Sequence, residues 1–421
     1  MIALGLDELR TLELGRLGAA PGAARVTGLQ IDSRRVGEGD LFVAVGSGGA
    51  FTRDALERGA AATLVPDDAH AALAAVAGLV RARSSARVVG ITGSTGKTST
   101  KDLLSALCAP HRRTLAAEAS FNNELGVPLT LCRLEHDTEV CVLELGMRGF
   151  GQIAALCSFA RPEIGVVTHV GPVHLELVGT VEGVARAKAE LLAALPAGGV
   201  AVAPRTALLD PFLDRDDLEV RRFGPEDVEL DGRHARFALA GTAVELDLPF
   251  DQAHQAVNTL AALHAYHALG LPLDRAQEGL AAVRFSRWRG EQLPLPGGGF
   301  VVNDAYNANP DSMRAALVDL ARRARGRRKV AVLGEMAELG EQAPAYHAEI
   351  GALLAELGFD AVVAIGPLAR LYLEPGVPVL RWLERPNGVA EVVGPDDAVL
   401  VKASRAVGLE GIAETLANRS S

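Results

Sequence analysis

The chain has 421 residues, too many for one ordinary hydrophobic core, with 49% hydrophobic and 22% charged residues. That balance excludes a disordered or fibrous protein. A formal net charge of -10 excludes a non-specific nucleic-acid binder, which needs a basic face to displace counterions.

The first segment, to about residue 82, carries β-branched and apolar runs at Val26-Thr27-Gly28-Leu29-Gln30-Ile31 and Leu41-Phe42-Val43-Ala44-Val45, then a helical pattern from Asp54. Short strands with helices make a small α/β domain. Arg81-Ala82-Arg83-Ser84-Ser85 is polar and reads as a linker. The opening residues meet Asp7 and Glu8 before any secretory core, and no run reaches 18 apolar residues, so a cytoplasmic protein is expected.

Next comes Val88-Val89-Gly90-Ile91-Thr92-Gly93-Ser94-Thr95-Gly96-Lys97-Thr98-Ser99, a strand breaking into glycines and then Lys-Thr at a helix start. Residues Gly93, Ser94, Thr95, Gly96, Lys97, Thr98 and Ser99 are expected to hold the phosphates of ATP. Backbone N–H groups and the positive helix end face phosphate oxygens, Lys97 adds a point charge, and Thr98 offers a magnesium ligand. The spacing departs from G-x-x-x-x-G-K-[ST], because Ile91 stands where the first glycine would fall.

Apolar strands at 140–145, 163–168 and 199–203 alternate with helical patterns at 97–109 and 180–195, which implies a largely parallel sheet. An antiparallel hairpin is expected around Gly241-Thr242, followed by helices at 252–269 and 273–283. The remainder repeats strand and helix (300–303, 312–325, 329–333, 343–357, 361–365, 398–402), a second doubly wound unit. The expected fold is therefore α/β in three domains: a small α/β domain at 1–83, a central ATPase-like parallel-sheet domain with the phosphate loop at 84–286, and a Rossmann-like domain at 287–421. An active site at domain junctions, closed by domain motion, is expected.

Glu144 ends an apolar strand, where ligands of an open α/β sheet bind, and reads either as a magnesium ligand with Thr98 or as a strand-end acid in water. His169 and His174 follow another strand end; each alone reads as a turn residue. Lys188, between two alanines on a helix, reads on spacing alone as solvated surface. Yet only five basic residues are lysine, at 97, 101, 188, 329 and 402, so a lysine kept against arginine marks a place needing a compact amine. Cys108, Cys132, Cys141 and Cys157 lack C-x-x-C spacing and read as buried thiols.

Taken in order, the loop Gly90 to Thr98, Ser120-Phe121-Asn122-Asn123-Glu124-Leu125-Gly126, Glu144, His174-Leu175-Glu176 and Ala187-Lys188-Ala189-Glu190 resemble the Mur ligases, ATP-dependent enzymes of peptidoglycan precursor synthesis. Asp304-Ala305-Tyr306-Asn307-Ala308-Asn309 and Val332-Leu333-Gly334-Glu335-Met336-Ala337-Glu338 resemble the branch that adds the dipeptide D-alanyl-D-alanine to a UDP-linked muramoyl tripeptide.

The resemblance implies several roles. Thr98 and Glu144 would hold one magnesium ion, and His174 with Lys188, as a carbamate, would lie on the side of a second. Lys97, Lys188 and His174 would be catalytic, Asn258 would contact adenine, and Arg289 and Asp304 phosphate and ribose. Asp32 and Ser33 would lie near the uridine nucleotide of a UDP-substrate-binding first domain. Asn122, Asn123, Tyr306, Asn307, Asn309, Lys402, Ser404 and Arg405 would lie on the substrate side.

The chain departs from the family pattern at Gly48-Gly49-Ala50, where Asp-Gly-His is usual before Phe51, and at His169, Gln255, Trp288 and Ala403. The expected partners are small-molecule substrates, with no nucleic acid and no membrane insertion, for a monomeric enzyme. The alternatives are another amino-acid ligase of the same fold and an ATP-binding switch that does not ligate.

Overall fold

The computed structural model describes residues 1–373 and 376–419. The chain forms two compact units, one of residues 1–169, 186–251 and 256–284, the other of residues 170–185, 252–255 and 285 onward. Among the described residues no helix is long and apolar enough to cross a membrane.

The first unit contains a four-stranded sheet ordered Gly15–Ala19, Ala62–Pro66, Asp40–Val43, Gly28–Gln30, whose first pair alone is antiparallel. Helix Ala69–Arg83 follows, opened by Asp68, whose carboxylate accepts from the N–H groups of His70 and Ala71. This helix corrects the expected linker. Arg81–Arg83 are its last turn, and Arg81 is buried, its Nε donating to Ala160 O at 3.0 Å and its guanidinium meeting Glu163 at 3.2 Å. A polar string can close a helix when its guanidinium finds carbonyls and a carboxylate inside.

The same unit carries a six-stranded, wholly parallel sheet: Glu219–Phe223, Val200–Pro204, Ile164–Val167, Arg87–Thr92, Val140–Glu144, Thr114–Ala116. Its inner strands are buried along their length, as a sheet covered on both faces requires. The chain runs from Arg87–Thr92 toward one edge and later returns to its other side. The topological switch point therefore lies between the carboxyl ends of Arg87–Thr92 and Ile164–Val167, where ligands of open α/β sheets bind. The expected hairpin is present as His234–Leu239 with Thr242–Asp247, and a third antiparallel strand, Val228–Asp231, joins it.

In the second unit the sheet order is Glu291–Pro294, Phe300–Asn303, Ala398–Lys402, Lys329–Gly334, Ala361–Ile365, Val379–Leu383, parallel except for the first pair. One face packs against helices Pro310–Arg323 and Ala343–Glu356 through Met313, Leu317, Ile350 and Leu354. The other packs through Val330, Val332, Val363, Val399 and Val401 against Leu409, Ala413 and Leu416. This is the doubly wound arrangement the sequence pattern implies.

Candidate active site

Strand Arg87–Thr92 ends in a loop that only glycine can trace at two points. At Gly93 (φ +155°) a Cβ would fall 1.9 Å from Thr168 Oγ1, and at Gly96 (φ +79°) 2.3 Å from Asn258 Oδ1. Gly96 then caps helix Lys97–Cys108. Thr168, at the end of the neighbouring strand, places its hydroxyl 2.5 Å from Thr95 O, and Ser94 N–H donates to His169 O at 2.8 Å. Lys97 Nζ donates to Gly93 O at 2.7 Å, so the lysine folds back over the loop. A helix start leaves its first N–H groups outside the intrahelical ladder, which suits them to an anion.

Thr98 is fully buried and its Oγ1 donates to Glu144 Oε2 at 2.6 Å, while Asn122 Nδ2 donates to Glu144 Oε1 at 2.7 Å. Ser120 Oγ lies 3.3 Å from Thr98 Oγ1. The strand-end acid is thus turned inward to the loop. Asn123 Oδ1 accepts from the N–H groups of Leu125 and Gly126, in the turn just before helix Gly126–Leu131. Among the described residues no three His, Cys, Asp or Glu side chains gather as a metal cage. One carboxylate and one hydroxyl, both hard oxygen donors, still fit magnesium, which usually takes few protein ligands and completes its shell with phosphate and water.

Lys188 is buried at 2% exposure and has no hydrogen-bond or ion-pair partner among the described residues. Burial pushes its amine well below its ordinary value, and the nearby charge of Lys97 adds to the effect. The spacing alone had suggested solvated surface; the helix instead turns Lys188 inward.

The second unit brings the later motifs together. Lys402, at the carboxyl end of its strand, donates to Asp304 Oδ2 at 2.5 Å and to Asn307 O at 2.9 Å. Ser404 Oγ accepts from Ala337 N–H at 2.9 Å. The Arg289 guanidinium lies 4.0 Å from the Tyr306 ring centroid, and Arg405 lies 4.5 Å from that of Trp288. Asn307 accepts from Ala308 N–H, and Asn309 caps helix Pro310–Arg323 in a reciprocal pair with Ser312. His174 Nδ1 lies 2.5 Å from Glu338 Oε2.

In the first segment Asp32 caps the turn Ser33–Arg35, and the Arg34 side chain and N–H hold its carboxyl down at about 2. Ser33 is buried, and the Asp54 carboxyl is held below its ordinary value with the Ser33 hydroxyl and Arg58 as the causes.

Sequence reasoning did not single out Thr168, Ser120 or Glu338 as individual contributors, although Ser120 and Glu338 stood inside quoted motifs and Thr168 ended a predicted strand. Asn122, expected on the substrate side, also holds Glu144. All four cysteines are buried thiols pushed up to about 12 by burial, as their apolar neighbours implied.

A glycine loop between a parallel strand and a helix, placed at a sheet's switch point with a strand-end carboxylate on the helix's first hydroxyl, defines a phosphate-loop nucleotide-binding protein. Residues 91–266 match the Mur ligase middle domain, and residues 288–405 match the Mur ligase glutamate ligase domain. The UDP-N-acetylmuramoyl-tripeptide--D-alanyl-D-alanine ligase of Synechocystis is 33% identical over 93% of this chain and 92% of its own length. The Escherichia coli protein of the same description is 32% identical over 87% and 86%. The chain belongs to the Mur ligase family. Among solved structures, MurF from Acinetobacter baumannii superposes with a TM-score of 0.87 over 99% of both chains at 26% identity, and MurF from Thermotoga maritima in complex with ADP with 0.81 over 93% and 97% at 29%.

Proposed function

We propose that this chain is an ADP-forming ligase that joins D-alanyl-D-alanine to the terminal carboxylate of a UDP-N-acetylmuramoyl tripeptide. The substrate carboxylate attacks the γ-phosphorus of ATP, ADP leaves, and an acyl phosphate forms. The dipeptide amine then attacks the acyl carbon and loses a proton, and as the tetrahedral intermediate collapses the bond from that carbon to the phosphate oxygen breaks and inorganic phosphate leaves with its electron pair. A carboxylate is a poor electrophile and an acyl phosphate a good one, which is why ATP is spent.

In this reading the loop Gly93–Ser99 cradles the phosphates, and Lys97 leaves Gly93 O to meet the transferring group. Thr98 and Glu144 hold magnesium, and Lys188 with His174 serves a second ion. Magnesium, when bound, neutralises charge on the phosphate oxygens. Asn258 faces adenine; Arg289 and Asp304 serve phosphate and ribose. Asp32 and Ser33 serve the uridine end, and Asn122, Asn123, Tyr306, Asn307, Asn309, Lys402, Ser404 and Arg405 the peptide end. We read the chain as domains 1–83, 84–286 and 287–421 of a cytoplasmic monomer.

The observation that carries the reading is Lys188, a buried amine without a partner among the described residues, on the same unit as a phosphate loop. A neutral amine adds CO2 and loses a proton, and the resulting carbamate is an anionic oxygen ligand that no arginine can form. The test is phosphate release from ATP with magnesium, tripeptide precursor and dipeptide, each omitted in turn. Release that needs both acceptors and yields a UDP-muramoyl pentapeptide is expected. Release indifferent to them would establish a switch, and release supported equally by single amino acids another ligase of the family.

A further inference from the structure

Of the five lysines, two have no part in the reading above: Lys101 and Lys329. Lys329 donates to the carbonyl that ends a helix, Leu357 O at 2.7 Å, and is structural. Lys101 is different. It is 2% exposed, and its ammonium donates to Ala117 O at 2.8 Å and Ala119 O at 3.0 Å while lying 2.8 Å from Asp102 Oδ1.

Lys101 stands one turn beyond Thr98 on helix Lys97–Cys108, so both side chains leave the same face. The backbone it grips belongs to the segment that delivers Ser120 to Thr98 and Asn122 to Glu144. That segment is tied at its start by Ala117 N–H to Val142 O at 3.1 Å and at its end by Gly146 N–H to Asn122 O at 2.7 Å. Between these ties it passes through a left-handed residue that is not glycine, Ala119 (φ +46°), and Lys101 holds the carbonyl of that same residue. A backbone conformation disfavoured for alanine persists only where surrounding contacts over-determine it. An arginine fork is too broad to meet two carbonyls on one tight bend and a carboxylate at a single point, whereas an ammonium has three rotatable donors.

We infer that Lys101 is a positioning residue for the nucleotide end of the reaction: it pins the Ala117–Asn122 bend so that Asn122 orients the Glu144 carboxylate toward magnesium. The inference rests on the reading of Thr98 and Glu144 as the magnesium-holding pair.

Calorimetric titration of the full chain with ADP, with magnesium and with EDTA, tests it without any acceptor substrate. Lys101→Met is expected to weaken magnesium-ADP binding about tenfold, the scale on which groups behind metal ligands act, and to leave metal-independent ADP binding within about twofold. Asn122→Ala should reproduce the effect, and the double variant should be no weaker than Asn122→Ala alone, since both changes act through one carboxylate. Equal weakening with and without magnesium, additive losses, or unaltered binding would each overturn the inference. If Lys101→Met does not fold, Lys101→Gln, which keeps one donor, reads the same difference. Wild-type protein that binds ADP equally with and without magnesium would overturn the Thr98–Glu144 reading as well. A wild-type magnesium preference that Lys101→Met leaves intact overturns only the role of Lys101.

Discussion

Burial strips the Lys188 ammonium of water and the charge of Lys97 repels what charge remains, so folding favours the neutral amine. The unfolded chain still binds that proton up to the ordinary lysine value of about 10.4. The native state therefore holds fewer protons, and Lys188 costs stability that grows as pH falls below that value. Lys188→Met should accordingly be more stable than wild type by about 1–3 kcal/mol in urea unfolding at neutral pH, because it removes a buried polar group that has no partner among the described residues. The same variant, and Lys188→Arg, should lose phosphate release on the order of 100-fold or more. Stability gained with activity lost is the pattern of a residue kept for chemistry. A fully active Lys188→Arg protein, or native protein in 13C-bicarbonate without a carbamate carbon in its NMR spectrum, would sink the carbamate. The amine was legible in the sequence only through lysine scarcity and neighbouring motifs; a period of 3.6 between alanines cannot tell which face is buried.

At the scale of elements, the helix Pro310–Arg323 begins where Asn309 accepts from Ser312 N–H at 2.9 Å and Ser312 Oγ accepts from Asn309 N–H at 3.1 Å. Asn309→Ala removes one half of that exchange and should cost about 1 kcal/mol of stability in urea unfolding. Because Asn309 is also proposed to serve the peptide end, Ser312→Ala is the control: loss of activity in the first and not the second assigns Asn309 a contact beyond the cap.

Helix Ala253–Ala268 carries a second liability in His264, whose two ring nitrogens are buried without partners beside Phe223. Burial, with Arg221 nearby, pushes its imidazole down to about 4. Between its ordinary value near 6.5 and 4 the unfolded state binds the extra proton, so stability falls as pH falls through that window. His264→Phe should reduce the difference between unfolding free energies at pH 7 and 4.5 by about 2 kcal/mol. An unchanged difference would show the imidazole to be solvated.

Strands buried on both faces, such as Phe300–Asn303, Ala361–Ile365 and Ala398–Lys402, were legible to the residue because nothing polar interrupts them. Edge strands were not. Glu219–Phe223 and Val379–Leu383 expose much of their length and are absent from the predicted strands, and helix Ala69–Arg83 was hidden by alanines and a basic last turn. Polar ends acquire structure through contacts distant in sequence, as Arg81 does with Ala160 and Glu163.

At the scale of the molecule, the residues expected to touch one nucleotide fall in both compact units: Gly93–Ser99 and Asn258 in the first, Arg289 and Asp304 in the second. That division turns the reading into a measurement. A ligand held at 100 times its dissociation constant stabilises the state that binds it by about 2.7 kcal/mol, and only amides whose opening breaks its contacts share in the protection. Hydrogen exchange with magnesium-ADP should slow in the loop Gly93–Ser99, where backbone N–H groups meet phosphate. If Arg289 and Asp304 act as the family likeness implies, exchange should slow in 288–306 as well. Arg289→Ala should abolish the second effect and keep the first, because the loop is built by Thr168, His169 and Lys97 within its own unit. Protection confined to the loop in wild type would remove Arg289 and Asp304 from the ADP contacts and leave Lys402, already 2.5 Å from Asp304, as a structural partner of that carboxylate.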